Sequence, residues 1–278
     1  VGINAFILDH QRGAGPAALT QANALAAVAG FLSPLVVGAG AATILGWRAG
    51  LWALVIAIVV AEVIRARVSG VFDVVRAHVG SEGRLRELPS RFWWSCALIG
   101  CLSAVEACTF TWSADLLREQ AGLGPASAAA GLGAVSAGMV LGRLLGSRLA
   151  ESISIDALLR LAIVFAGLSV LLAWVARSPA LLLACLFLVG LGISVNWPLG
   201  VSRVVAASGG RANRGASLAS VSGGIAAGTF PFMMGAWADQ VGIHTAFLMV
   251  PALLLAALTI LLAVPMGPSP DEQASEGD

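Results

Sequence analysis

Apolar residues run along this chain in blocks of membrane length, separated by short polar segments that hold most of the arginine. A hydrocarbon core about 30 Å thick needs about 20 apolar residues of helix to cross it. By that measure eight transmembrane helices are expected. They fall at about Ala18 to Ile44, Leu51 to Ile64 with its flanks, Phe92 to Leu117, Ala126 to Leu149, Ala157 to Val175, Ala180 to Val204, Ala216 to Ala238 and Thr245 to Val264. The short turn Leu45-Gly46-Trp47-Arg48 sets the first two antiparallel. Residues 65–91 are polar, carry six arginines around a Gly/Ser/Pro-containing linker, and form the expected boundary between two halves. The acidic tail, PSPDEQASEGD, is expected to be disordered.

Composition agrees with a polytopic membrane protein: 58% of residues are hydrophobic, 11% are charged, and the mean hydropathy is +0.90. Every basic side chain except histidine is Arg, so a P-loop lysine is excluded, and a net charge of +1 gives no footprint for nucleic acid. If eight helices alternate sides, thirteen arginines share one face and only Arg48, Arg118 and Arg177 the other. The positive-inside rule then places the 65–91 loop and both termini in the cytoplasm, and Trp47, Trp52, Trp112, Trp174 and Trp237 near the outer interface. The four cysteines and three histidines lack metal-ligand or redox spacing, and no GxSxG, HExxH or CxxC is present. No enzyme activity, cofactor or metal is expected.

The block from Phe92 to Leu117 has a carboxylate, Glu106, near its middle. An ionisable group there costs about 2.5–3.5 kcal/mol on insertion scales, which makes it a functional candidate. Steps of three and four residues join Ser103, Glu106, Phe110 and Ser113 on one helical face, with Thr109 close by. Glu106 is expected to couple protons or to bind solute with Ser103, Thr109 and Ser113; the alternative is a pair with a basic or polar group on a helix preceding Val1. Asn196 and Trp197, beside the Pro-Leu-Gly of LVGLGISVNWPLG, are candidates for solute contact or for interhelical hydrogen bonding. Gly138, Gly142 and Gly146 lie at four-residue spacing and predict close helix packing, a pattern repeated at Gly224 and Gly228.

A weak internal repeat relates Ser33-Pro34-Leu35-Val36-Val37-Gly38 to Phe230-Pro231-Phe232-Met233-Met234-Gly235 through a shared Pro-x-x-x-Gly. Repeated halves recur in secondary transporters, where solute sits between them near the membrane midplane. If the last hairpin ends a six-helix half, the first should end another, and four helices are expected before Val1. Pro34 and Pro231 loosen the backbone ladder, and Gly38 permits close approach, which suits helices that kink or rock.

On these features the chain resembles the major facilitator superfamily, as its helices five to twelve. The resemblance rests on Pro34 to Gly38 followed by Gly46-Trp47-Arg48, on the Arg-rich central loop, and on Gly142-Arg143-Leu144-Leu145-Gly146-Ser147-Arg148-Leu149-Ala150-Glu151. That last string is similar to the second copy of the family's cytoplasmic Gly/Arg/acid motif, although Ser152 rather than Arg follows the acid. It implies a conformational role for Arg143, Arg148 and Glu151, by pairing with one another or capping helix ends. Gly30 to Gly38 resembles the fifth-helix motif of drug/proton antiporters, with Ser33 in place of Gly.

The resemblance implies an all-α integral membrane protein of the major facilitator fold, with eight transmembrane helices of an expected twelve. Residues 1–64 would end the N-terminal six-helix bundle, 65–91 join the bundles in the cytoplasm, 92–264 form the C-terminal bundle, and 265–278 form the cytoplasmic tail. It implies a secondary transporter of the bacterial inner membrane that moves a small organic solute by alternating access, with protons as the coupling partner through Glu106. Drug or metabolite efflux and sugar-like uptake both stay open. The alternative is a non-transporting truncated paralogue or a solute-binding membrane protein.

Overall fold

The computed structural model describes Thr20, residues 48–68 and residues 88–266. Pro34 and Gly38, the expected span from Ala18 to Ile44 apart from Thr20, most of the central loop and the acidic tail lie outside the described residues. The chain divides into two compact units, 26–84 and 1–25 with 85–278. Within the first, α1 (Arg48–Val68) is a single helix. Trp52, Leu54, Ile56, Ile58, Val59 and Ile64 are all exposed along it.

In the second unit the described helices follow one another with short connections. They are α2 (Ser90–Ala121), α3 (Pro125–Leu149), α4 (Ile155–Val175), α5 (Pro179–Ile193), α6 (Asn196–Ala207), α7 (Ala212–Val241), α8 (Ile243–Ala246) and α9 (Met249–Ala263). Local chemistry marks their ends. Gly122 closes α2 in the left-handed region at φ 64°, where a side chain would be strained, and its N–H bonds the Leu117 carbonyl. Prolines open α3 and α5 at a position where a helix has no use for the N–H, and Ser178 caps α5 by accepting from the Leu181 N–H at 3.3 Å.

The long helix α2 is the axis of the unit: α3, α6, α7 and α9 all pack on it, while α5 lies against α3 and α4. Its Leu98, Leu102, Val105 and Leu116 are fully buried in a core shared with Leu159, Leu186, Val189 and Phe247. Outward-facing Leu161, Leu168, Ile225, Phe232 and Leu255 are exposed instead. An apolar interior inside an apolar exterior is the pattern of a helical bundle whose solvent is lipid.

The expectation of eight transmembrane helices is corrected here. Among the described residues, five helical segments are long and apolar enough to cross a membrane: Ser90–Ala121, Ile155–Val175, Pro179–Ala207, Ala212–Val241 and Ile243–Ala263. Arg48–Val68 and Pro125–Leu149 are helices but are not among the five. In α3 the small residues that let helices touch also dilute its hydropathy, and Arg143 and Arg148 dilute it further. The block from Ala180 to Val204 is not one regular helix either, since α5 and α6 are separated by a turn at Ser194 and Val195.

Gly138, Gly142 and Gly190 bring α3 and α5 to backbone contact. A Cβ at Gly138 would run into the Phe187 carbonyl oxygen, one at Gly142 into Ser194 Oγ, and one at Gly190 into the Val135 carbonyl oxygen. Gly146 faces the Val195 side chain in the same way. Gly224 and Gly228, spaced alike, meet nothing within 4 Å, so the shared spacing does not carry a shared role.

Candidate functional site

The break between α5 and α6 begins with a proline. Pro198 has no N–H to give to the carbonyl four residues earlier, which belongs to Ser194. The close approach at Gly142 brings its neighbour Arg143 to that point, and Arg143 Nε donates to the Ser194 carbonyl at 3.2 Å. The same guanidinium reaches α2, where Nη2 lies 3.9 Å from Glu106 Oε1. The Arg143 side chain is 9% exposed and that of Glu106 28%, so the carboxylate keeps some access while the guanidinium is enclosed. One arginine thus connects an acid in the middle of α2 to the backbone of a broken span.

The other sequence candidates divide. Asn196 opens α6 two residues beyond the carbonyl that Arg143 holds; it is 1% exposed, and neither amide atom has a hydrogen-bond partner. Ser103 Oγ and Thr109 Oγ1 on α2 are likewise buried and unpartnered. Ser113 is satisfied by its own helix, donating to the Thr109 carbonyl at 2.6 Å. Trp197 comes together with Ser103 at Gly223 of α7, where a Cβ would lie 2.7 Å from the indole Cζ3 and 2.8 Å from Ser103 Oγ. Pro231 sits inside α7, and its carbonyl accepts from Trp112 Nε1 at 2.9 Å, tying α7 to α2. Arg148 and Glu151 are exposed at the far end of α3. Of the three residues of the Gly/Arg/acid string, only Arg143 turns into the bundle.

A second buried charge was missed in the sequence because its arginine was counted with the loops. Arg203, 1% exposed, donates through Nε to Asp156 Oδ1 at 2.7 Å and through Nη2 to Oδ2 at 3.2 Å. Its Nη1 donates to Ser95 Oγ at 2.9 Å, and Nη2 also meets the Val264 carbonyl. Asp156 Oδ2 accepts in turn from the Met266 N–H at 2.9 Å. The network binds the start of α2, the start of α4, α6 and the chain after α9. An arginine spaced five residues beyond a helix-breaking Pro198, inside an apolar run, was the available signal.

At the opposite end Gln120 Nε2 shares its two hydrogens among the carbonyls of Ala173, Trp174 and Ala176. Trp174 stacks on His244 with ring centroids 4.6 Å apart, its Nε1 donates to the His244 carbonyl, and His244 Nε2 donates back to the Trp174 carbonyl, both at 2.9 Å. Trp112 and Trp174, expected in an interfacial belt, therefore serve as ties between helices. A cavity of about 600 Å³ lies at this end, lined by Trp112, Asp115, Glu119, Asp239 and Ile243 among others, and it does not include Glu106.

The profile of the Major Facilitator Superfamily matches residues 97–278. No curated protein matches the chain in sequence. Among solved structures, a major facilitator superfamily transporter, FucP, in the outward conformation is similar with a TM-score of 0.80 at 15% identity, over 95% of this chain and 72% of that one. The E. coli fucose:proton symporter FucP, in a variant form, gives a TM-score of 0.76 at 17% identity over 95% and 73%. A bacterial homologue of the iron transporter ferroportin in the outward-facing state gives 0.63 at 17% identity over 90% and 64%. At such identities the likeness speaks to the fold, while the family match covers most of the chain, including the helices that carry Glu106, Arg143 and Asn196. The chain belongs to the major facilitator superfamily of membrane transporters.

Proposed function

We propose that this protein moves a small organic solute across the bacterial inner membrane by alternating access, coupled to protons through Glu106, with the Arg-rich loops and both termini of the chain in the cytoplasm. The observation that carries this reading is Glu106 itself. It is a partly accessible carboxylate in the middle of the central helix, 3.9 Å from an enclosed guanidinium and on the same helix as two buried hydroxyls without partners. A membrane-embedded acid beside a basic group can take up a proton when its cavity opens to one side and release it when the cavity opens to the other. Arg143 links that event to the α5/α6 break, the one part of its span that is not regular helix. Proton symport by FucP, a protein of the same fold, supports the coupling.

The test is reconstitution in liposomes with a pH-sensitive dye inside. Addition of transported solute should move protons in the wild type, whereas Glu106→Gln should keep solute exchange and lose proton movement. Undiminished proton movement in Glu106→Gln would remove the coupling role from this residue.

A further inference from the structure

The hydrogen bonds that the bundle leaves open are unevenly placed. Among the described residues, the buried side-chain atoms without partners are Ser103 Oγ, Thr109 Oγ1, Gln120 Oε1 and both amide atoms of Asn196. Gln120 is otherwise held at Nε2, whose two hydrogens are shared among three carbonyls. The remaining four atoms lie on α2 and on the first residue of α6. A buried amide with neither end paired is rare in folded proteins. An apolar residue of similar shape would be neutral or favourable there, so stability alone does not account for Asn196.

Three contacts place Asn196 and Ser103 near each other and near Glu106. Gly200 packs on Ile99, so Asn196, one turn before Gly200, stands level with Ser103, one turn after Ile99. Trp197 and Ser103 converge at Gly223. Arg143, on the Ser194 carbonyl, reaches Glu106, which is three residues beyond Ser103 on the same face of α2. The charges in this region face each other, Glu106 with Arg143, and the other buried pair, Arg203 with Asp156, is closed at 2.7 Å. What stands unpaired is neutral: one amide with a donor and an acceptor side by side, and the Ser103 hydroxyl, which can do either.

We infer that the solute of this site is compact and net-neutral, with adjacent donor and acceptor groups such as neighbouring hydroxyls or a carboxamide, and that Asn196 is the residue that reads it, with Ser103. The inference rests on the proposed transport site and specifies what that site accepts. A donor-acceptor pair on the solute matches both ends of the Asn196 amide at once, and the Trp197 ring gives an apolar wall beside Ser103. An organic ion would have to break the Glu106–Arg143 pair to find its counter-charge. A site built on unpaired polar groups rejects solutes that cannot pair them more strongly than an apolar pocket rejects an extra methylene.

The experiment is thermal unfolding of the full chain in detergent, with mannitol and acetamide as neutral probes and succinate and tetraethylammonium as charged ones. The wild type should be stabilised by at least one neutral probe and by neither ion. Asn196→Leu should raise the midpoint without probe by about 2–4 °C and abolish the response to the neutral probe, because the unpaired amide is gone together with its ligand. A lower midpoint for Asn196→Leu would show that the amide is structural, and that outcome overturns the inference. So does a neutral response that survives in Asn196→Leu, a larger response to either ion, or no response of the wild type to either neutral probe. Glu106→Gln separates the two readings: if its neutral-probe response is intact but wild-type liposomes move no protons, the coupling falls and the solute assignment stands.

Discussion

Arg143 and Ser194, 51 residues apart in sequence, are joined by a guanidinium-to-carbonyl hydrogen bond of 3.2 Å. The carbonyl is available because its helical donor would have been residue 198, which is proline. The arginine is available because Gly142, beside it, lets α3 touch the broken span. A kink and its cap thus arise from three residues on two helices, and Glu106 on a third shares the cap.

Removing the cap should be costly and the cost should depend on Pro198. Arg143→Leu leaves Glu106 without its counter-charge and the Ser194 carbonyl without a donor. Loss of one partner of a buried pair costs about 3–5 kcal/mol, and the partial exposure of Glu106 brings the expectation nearer about 2–3 kcal/mol. In a Pro198→Ala background the helix regains its own N–H, and the same substitution should cost about 1 kcal/mol less. Denaturation of the wild type, the two single variants and the double variant in detergent measures this coupling; additive effects would mean that the cap and the kink are independent.

Equal glycine spacing should give unequal results on substitution. Gly138→Ala forces a methyl group into the Phe187 carbonyl and should destabilise by about 2–3 kcal/mol or prevent assembly. Gly224→Ala fills open space on α7 and should stabilise by about 0.5–1 kcal/mol through helix propensity. Expression level and monodispersity on size exclusion, followed by thermal midpoint, distinguish the two. A tolerated Gly138→Ala would contradict the backbone contact between α3 and α5.

Arg203 and Asp156 should behave as a unit. With Arg203 1% exposed, Arg203→Leu strands a carboxylate that also holds the Met266 N–H, and a loss of about 3–5 kcal/mol is expected. Arg203→Lys cannot reproduce the two-toothed pairing or reach Ser95 at the same time, so it should recover less than half of the loss. Hydrogen exchange should show the amide of Met266 losing protection first in both variants. Protection of Met266 equal to that of the wild type would separate the chain after α9 from this network.

At the other end of the bundle, Gln120→Leu removes the donor to the end of α4 and should cost about 1–2 kcal/mol. Trp174→Phe removes one of the two reciprocal bonds to His244 while keeping the stacked ring, and about 1 kcal/mol is expected. Tryptophan fluorescence should shift to the red in Gln120→Leu as the Trp174 end opens. An unchanged emission maximum would place Trp174 under other control.

Hydropathy is a local property, and it placed the elements. Each apolar block from Phe92 to Val264 contains helix in the structure, because contact with lipid is decided residue by residue over one turn or two. Glu106 could be singled out in the same way, as a charge where local composition offers none. What the pattern could not supply was partnership. Arg143 and Arg203 lie near polar segments and read as loop arginines, yet they are 7% and 1% exposed and bonded to groups 37 to 108 residues away. The count of eight spans failed for a related reason: a helix such as α3 that packs through Gly and Ala is held by its neighbours, and it does not need the hydropathy by which spans are recognised. Sequence by itself determined a membrane bundle with an acid in its central helix. Tertiary structure alone decided which arginine meets that acid, which carbonyl Pro198 exposes to it, and which polar atoms stay unpaired, because those outcomes depend on how closely backbones approach across helices and not on any single stretch of chain.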